Sequence, residues 1–174
     1  MPAQACLFGY VVPTTNLEEF IEFIAENSSY KGLEILQGVN ADLLAGEKHL
    51  LSALWHTRQA FAAGRNTGKK PAVELVRFLS CQRQISIAFK LMGIKDSKEP
   101  QNVALIIVGE NISHFSDLIN QLFLENFDAQ RNDAVLRSSA KKLVRIAQSF
   151  WDAKDTSVSL EDLLERIAAT ALDV

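Results

Sequence analysis

Apolar residues fall along this chain in two patterns, short unbroken runs and longer stretches with a helical repeat. ACLFGYVV at 5–12 is an unbroken run closed by Pro13 and the polar pair Thr14-Thr15, and it reads as a buried strand. LEILQ, bracketed by Gly32 and Gly38, predicts a second strand, and VALIIV at 103–108 a third. From Asn16 onward, Leu17, Phe20, Ile21 and Ile24 recur at helical spacing as an inner stripe. A long helix follows from Gly46 to Ala63, with Leu50, Ala53, Leu54 and Phe61 inside. Pro71 suits the first turn of the next helix, where it has no amide hydrogen to leave unbonded, and that helix runs to Leu79.

Another helix is expected from near Gln82 to Gly93, with Gly93 as a left-handed cap. Two more cover about 112–127 and 134–150. The last opens at Ser159, where SLED has the spacing of a capping box with Asp162 in the third position. Its inner stripe is Leu160, Leu163, Leu164, Ile167, Ala168 and Ala171. The pattern predicts a helix-rich α+β fold: about three strands, apolar on both faces and so covered, with six or seven helices in a single domain over 1–174. The segment 152–157 is the expected mobile loop.

Composition changes this picture little. At 48% apolar, the chain has material for a core without disulfides or metal. A net charge of −3 neither demands nor excludes a nucleic-acid partner, so any such partner needs a local basic patch. Cys6 and Cys81 stand in no ligand or disulfide spacing. The N-terminal run lacks a preceding basic segment, and no apolar run is long enough to cross a bilayer. A cytoplasmic protein with reduced thiols is the expectation.

Several motifs resemble reactive sites. GRNTGKKP at 64–71 invites a phosphate-loop reading, but it has three residues between its glycines instead of four, Lys70 where magnesium needs Ser or Thr, and a helix before it instead of a strand. A solvated basic loop is the better reading. His49 and His56 share one helix face, but two histidines two turns apart do not close a zinc site, so they read as surface or partner-facing. His114 has no Ser or Cys partner in view. Cys81 beside Arg83 invites thiolate chemistry, yet reads as a semi-buried junction residue. No catalytic residue, metal ligand or cofactor site is assigned.

The stretch ELVRFLSCQRQISIAFKLMGI at 74–94 is apolar but broken by SCQRQ. After the break, Ile85, Ala88, Phe89 and Met92 form one apolar face and Ile87, Leu91 and Ile94 another. Only Arg83, Ser86 and Lys90 remain as a polar stripe, so a nearly buried helix is expected, with Arg83 and Gln84 in its first turn. Cations there oppose the helix dipole, which favours an external anion. A second basic stripe, Arg137, Lys141 and Arg145 with Lys142 beside it, is expected on the 134–150 helix, opposite Leu136, Ala140, Leu143 and Ala147.

The run E-L-x-x-x-L-S-x-x-R-Q-I-x-x-A-x-x-x-x-G-I from Glu74 to Ile94 resembles the signature of the smallest regulatory subunit of KEOPS, the PRPK-binding protein family. KEOPS is the complex that makes threonylcarbamoyladenosine in tRNA. GEKHLLSALWHTRQAF at 46–61, VALIIVGEN at 103–111 and LLERIAATALDV at 163–174 resemble further family segments in the right order. The helix at 134–150 has no clear family counterpart, and Cys81 stands where the family often has glycine or a small polar residue.

The resemblance implies a non-catalytic subunit with two binding tasks. One is to hold the small atypical kinase/ATPase of the complex. The other is to take the single-stranded 3′-CCA end of tRNA. His49, Arg58, Arg83, Gln84 and Lys90 are the expected RNA contacts. Phe115, Leu118, Ile119 and Leu122, or alternatively the last helix, are the expected kinase face. Glu74 reads as structural, paired with an arginine. The location implied is cytoplasmic, and also nuclear in a eukaryote. The competing readings are a small nucleotide-binding or cysteine-dependent enzyme, and a kinase-binding scaffold without RNA contact.

Overall fold

The computed structural model describes residues 4–154 and 157–172. Residues 155–156 of the expected mobile loop, and 173–174 of the closing segment, lie outside the described residues. The chain divides into two compact units, Met1–Ala41 with Ile94–Val135, and Asp42–Gly93 with Leu136–Val174.

The first unit is an antiparallel sheet with helices on it. Its strands are β1 (Gln4–Val12), β2 (Leu33–Asn40), β3 (Gln101–Gly109) and β4 (Gln130–Arg131), in the order β2-β3-β1-β4. The sheet therefore has four strands where the apolar runs predicted about three. The additional strand is two polar residues long and pairs only with Tyr10 and Val11, which leaves no hydrophobic signature. β2 also continues through Gly38, because a Cβ at that position would overlap the Phe20 ring lying over the strand.

Helix α1 (Leu17–Asn27) starts as expected, with the Asn16 side chain accepting from Glu18 and Glu19 amides. Its buried residues are Phe20 and Phe23, whereas Ile21 of the expected inner stripe is 58% exposed. Helix α5 (Ser113–Phe127) brings Phe115, Ile119, Phe123 and Phe127 onto the same sheet face. Phe20, Phe23, Phe123 and Phe127 meet in tilted and edge-to-face pairs with centroids 4.8–5.9 Å apart.

The second unit is helical: α2 (Glu47–Ala62), α3 (Pro71–Leu79), α4 (Ile85–Met92), α6 (Ala140–Trp151) and α7 (Leu160–Leu172). With α1 and α5 this makes seven α-helices among the described residues. Six consecutive residues of α3, Glu74 to Leu79, are buried, so α3 is the axis around which α2, α4 and α7 pack. The capping box of α7 is present, with Asp162 accepting from Ser159 N–H and Oγ–H, both at 2.8 Å.

Two expected helices differ in outline. The helix predicted over 134–150 is split: a 3₁₀ turn at Asp133–Leu136 is followed by an extended break, and α6 starts behind its Ser139 cap. The Ser139 Oγ accepts the Lys142 amide at 3.1 Å, which makes this serine a start signal inside the predicted run. Arg137 consequently lies off the helix, and Ala140 is exposed instead of core. Gly93 closes α4 with extended backbone (φ −66°, ψ 154°), not a left-handed cap.

Candidate functional site

The SCQRQ interruption is a tight joint between α3 and α4. Cys81 takes the left-handed conformation at φ +54°, which turns the chain after the Ser80 cap. The Gln82 side-chain amide donates to Ser80 O at 3.0 Å and to Phe150 O at 2.8 Å, tying the joint to the end of α6. Gln82 is therefore structural. Arg83 and Gln84 are exposed, but Gln84 is the N-cap and Arg83 precedes it, so neither lies in the first turn as expected.

Helix α4 is less buried than its sequence predicts. Only Ala88 and Met92 are buried, because an eight-residue helix packed along one side cannot hide two apolar faces. Ser86 and Lys90 are exposed beside Ile87, which is 40% exposed. The joint thus presents a cation, an amide and a second cation around an uncovered apolar side chain.

His49 does not belong to that surface. It is fully buried, its Nδ1 accepts the Ala45 amide at 3.0 Å, and its Nε2 meets Leu79 O at 2.9 Å. These partners require the neutral tautomer with hydrogen on Nε2. The expectation of a surface, RNA-contacting His49 is corrected: a ring with no exposed atom and both nitrogens engaged supports the end of α3 from within. Arg58 stands nine residues further along α2, half a turn around the helix, and is half-buried.

The buried ring makes a prediction. Burial, aided by the Lys142 charge and opposed by the Leu79 carbonyl, brings the His49 pKa from 6.5 down to about 4. A second hydrogen on Nδ1 would face the Ala45 amide, donor against donor. The folded state binds the proton less readily than the unfolded one, so stability is full above pH 6.5 and falls as pH drops toward about 4. The loss approaches roughly 3 kcal/mol by conversion of that pKa difference. Urea midpoints at pH 7.5 and 4.5 should show this loss in the wild type and much less of it in His49→Gln.

The polar loop at 64–70 is held from inside. Glu74 Oε2 accepts the Thr67 amide at 3.1 Å and the Gly68 amide at 2.7 Å. Its Oε1 accepts Arg77 Nε at 2.9 Å and Nη2 at 2.6 Å, and both side chains are buried. The backbone donors that a phosphate loop would offer to a nucleotide are here engaged by a carboxylate of the chain itself. The pairing of Glu74 with an arginine is as the sequence reading expected.

Cys81 is the semi-buried junction residue expected, and burial pushes its thiol up to about 12, against a lowering pull from Arg166. A thiol so protonated is a poor nucleophile. His114 is exposed at the start of α5, and no group of three or more metal-binding side chains occurs among the described residues.

The expected kinase face on α5 is corrected in part. Phe115 and Ile119 are core residues of the first unit, and Leu122 packs against that core. Leu118 alone of the four is exposed. A larger apolar surface lies on α2 and α7, where Leu51, Trp55 and Leu172 are 46%, 58% and 83% exposed. Trp55, His56, Phe78, Ala168, Ala171 and Leu172 line a cavity of about 270 Å³ there. Sequence reasoning missed Trp55, although Leu51 and Trp55 recur at i and i+4, off the inner stripe of Leu50, Ala53 and Leu54.

An uncovered apolar face and a cationic joint, both carried on helices, are the features of a protein that docks other macromolecules. The comparison with known families gives this class a more definite form. Residues 14–169 match the model of the family described as kinase binding protein CGI-121, and the chain belongs to that family. No curated protein matches the chain.

Proposed function

We propose that this protein is a non-catalytic subunit of KEOPS that binds the complex's small atypical kinase/ATPase and recruits tRNA through its 3′-CCA end. Family membership supports the kinase partner, and the resemblance of residues 74–94 supports the complex. The observation that carries the docking role is the face formed by Trp55, Leu51 and Leu172, since an exposed tryptophan beside a cavity is the usual anchor of an interface. The kinase seats there, with α2 and α7 as its platform.

The tail is taken at the α3–α4 joint. Arg83 and Lys90 meet phosphates, Gln84 reads a base edge, and Ile87 offers an apolar contact to a base face. The enzyme alternative is disfavoured, because its two candidate centres are a loop whose amides bind Glu74 and a thiol held protonated. Residence is cytoplasmic, and nuclear as well in a eukaryote.

The test is titration of the purified chain with the kinase subunit, with full tRNA, and with tRNA lacking its 3′-CCA. Tight kinase binding is expected, together with tighter binding of full tRNA that Arg83→Glu reduces about tenfold, one lost charged contact. Equal binding of both tRNAs by wild type and variant would leave a kinase-binding scaffold without tail recognition.

A further inference from the structure

A second cationic surface lies on α6. Between Asp133 and Asp152 the chain has four cations, Arg137, Lys141, Lys142 and Arg145, and no acidic residue, although acids outnumber Lys and Arg 21 to 18 overall. The side chains of Ser139, Lys141, Lys142, Arg145 and Gln148, with Asp42 opposite, line a groove of about 690 Å³. Lys142 is half-buried and donates to Leu44 O at 2.8 Å. Burial, with repulsion from Arg145, lowers its pKa against the pull of Asp42. Arg145 meets Asp42 only at 3.4 Å and is 64% exposed, a weak pair. Lys141 and Arg145 are like charges at i and i+4, an arrangement that costs the helix stability and that a bound anion would offset.

The position of this groove matters as much as its charge. The Gln82–Phe150 hydrogen bond fixes the C-terminal end of α6 at the α3–α4 joint. Lys141 lies nine residues back along the helix, about 14 Å at the α-helical rise. Over such a length a duplex presents about eight phosphates.

We infer that the α6 groove binds the sugar–phosphate backbone of RNA, independent of sequence, alongside a strand whose end lies at the joint. The inference rests on the RNA reading above, but it concerns different residues and a different part of the nucleic acid. Lys141 and Arg145 in the groove, with the exposed Arg137 two residues before the Ser139 cap, supply phosphate contacts that set orientation, while base reading stays at the joint.

The experiment measures tRNA affinity across a salt series for wild type, R137A/K141A, K141E, R83E and a charge-matched control, K31A/K98A. Arg137 and Lys141 are exposed and make no hydrogen bond or ion pair among the described residues, so these variants should fold, as equal thermal midpoints would verify. R137A/K141A should lower the slope of log K against log salt by about 1.8, two phosphates released. K141E should weaken binding further, and the loss should be the same with and without the 3′-CCA. R83E should act only on tail-bearing tRNA.

An unchanged slope in R137A/K141A, or an equal fall in the control, would overturn the groove whatever R83E does. A lowered slope with R83E silent would leave the groove standing and remove the tail reading. Loss of kinase binding instead of RNA binding in R137A/K141A would assign the surface to protein and overturn the inference. Absence of tRNA binding by the wild type at low salt would overturn both.

Discussion

Glu74→Ala should lower the thermal midpoint of the protein steeply. The substitution leaves the Arg77 guanidinium buried without its partner, at hydrogen-bond distances of 2.6 and 2.9 Å in the native protein. Removing one member of a buried pair costs about 3–5 kcal/mol. At roughly 2–4 °C per kcal/mol for a chain of this size, the midpoint should fall by roughly 6–20 °C. The Thr67 and Gly68 amides lose their acceptor as well, and because the Gly68 amide is buried, leaving it unbonded adds to the cost. Replacing both charges by apolar residues, Glu74→Leu with Arg77→Met, should recover part of the loss, because no orphaned ion remains. Differential scanning calorimetry on the three proteins tests this. A midpoint for Glu74→Ala within a degree or two of wild type would show that the pair stabilises nothing.

Trp55→Ala should weaken kinase binding severely without unfolding the chain. Trp55 is more than half exposed, so truncation removes little from the core, and its ring contacts are edge-on to His56 at 4.7 Å between centroids. A tryptophan anchor at an interface centre is worth about 2–4 kcal/mol on truncation, so the dissociation constant should rise roughly 30- to 1,000-fold. Leu118→Ala on α5 is the informative comparison, because it changes the one exposed residue of the face that sequence pattern favoured. Calorimetric titration of both variants with the kinase subunit decides between the faces. A normal constant for Trp55→Ala with a weakened Leu118→Ala would move the interface to α5.

The elements that depend on periodicity were legible before any coordinates, and those that depend on one polar atom were not. α2, α3 and α5 begin and end within a residue or so of their expected bounds, and α7 begins directly behind the expected Ser159. β4 escaped because two polar residues pairing with Tyr10 and Val11 carry no pattern. The start of α6 escaped because Ser139 sits inside a run that looks continuously helical. At the α3–α4 joint, the exposure of Ser86 and Lys90 was legible as the polar remainder of an apolar helix, whereas Arg83 and Gln84 lie before its first turn. His49 was misplaced because a histidine between Lys48 and Leu50 looks the same whether its nitrogens face water or Ala45 and Leu79. Phe115 and Ile119 were assigned outward only because nothing in one helix states what covers it. Nor did any local signal mark position 81 as left-handed, a conformation that glycine adopts without strain and that Cys81 takes here.

The segment 64–70 looks like the natural place for a tag or a label, being polar, charged and flanked by helices. Its two halves would respond differently. At Gly64 and Arg65 the backbone is exposed, and a side chain at Gly64 would meet no atom within 4 Å, though its φ of +63° favours glycine. From Asn66 to Gly68 the chain is seated, with Asn66 closing a side-chain bond to Gly68 O at 2.9 Å. An epitope spliced after Arg65 should leave expression and solubility intact. The same epitope spliced after Thr67 should yield a protein that proteases cut and chaperones retain.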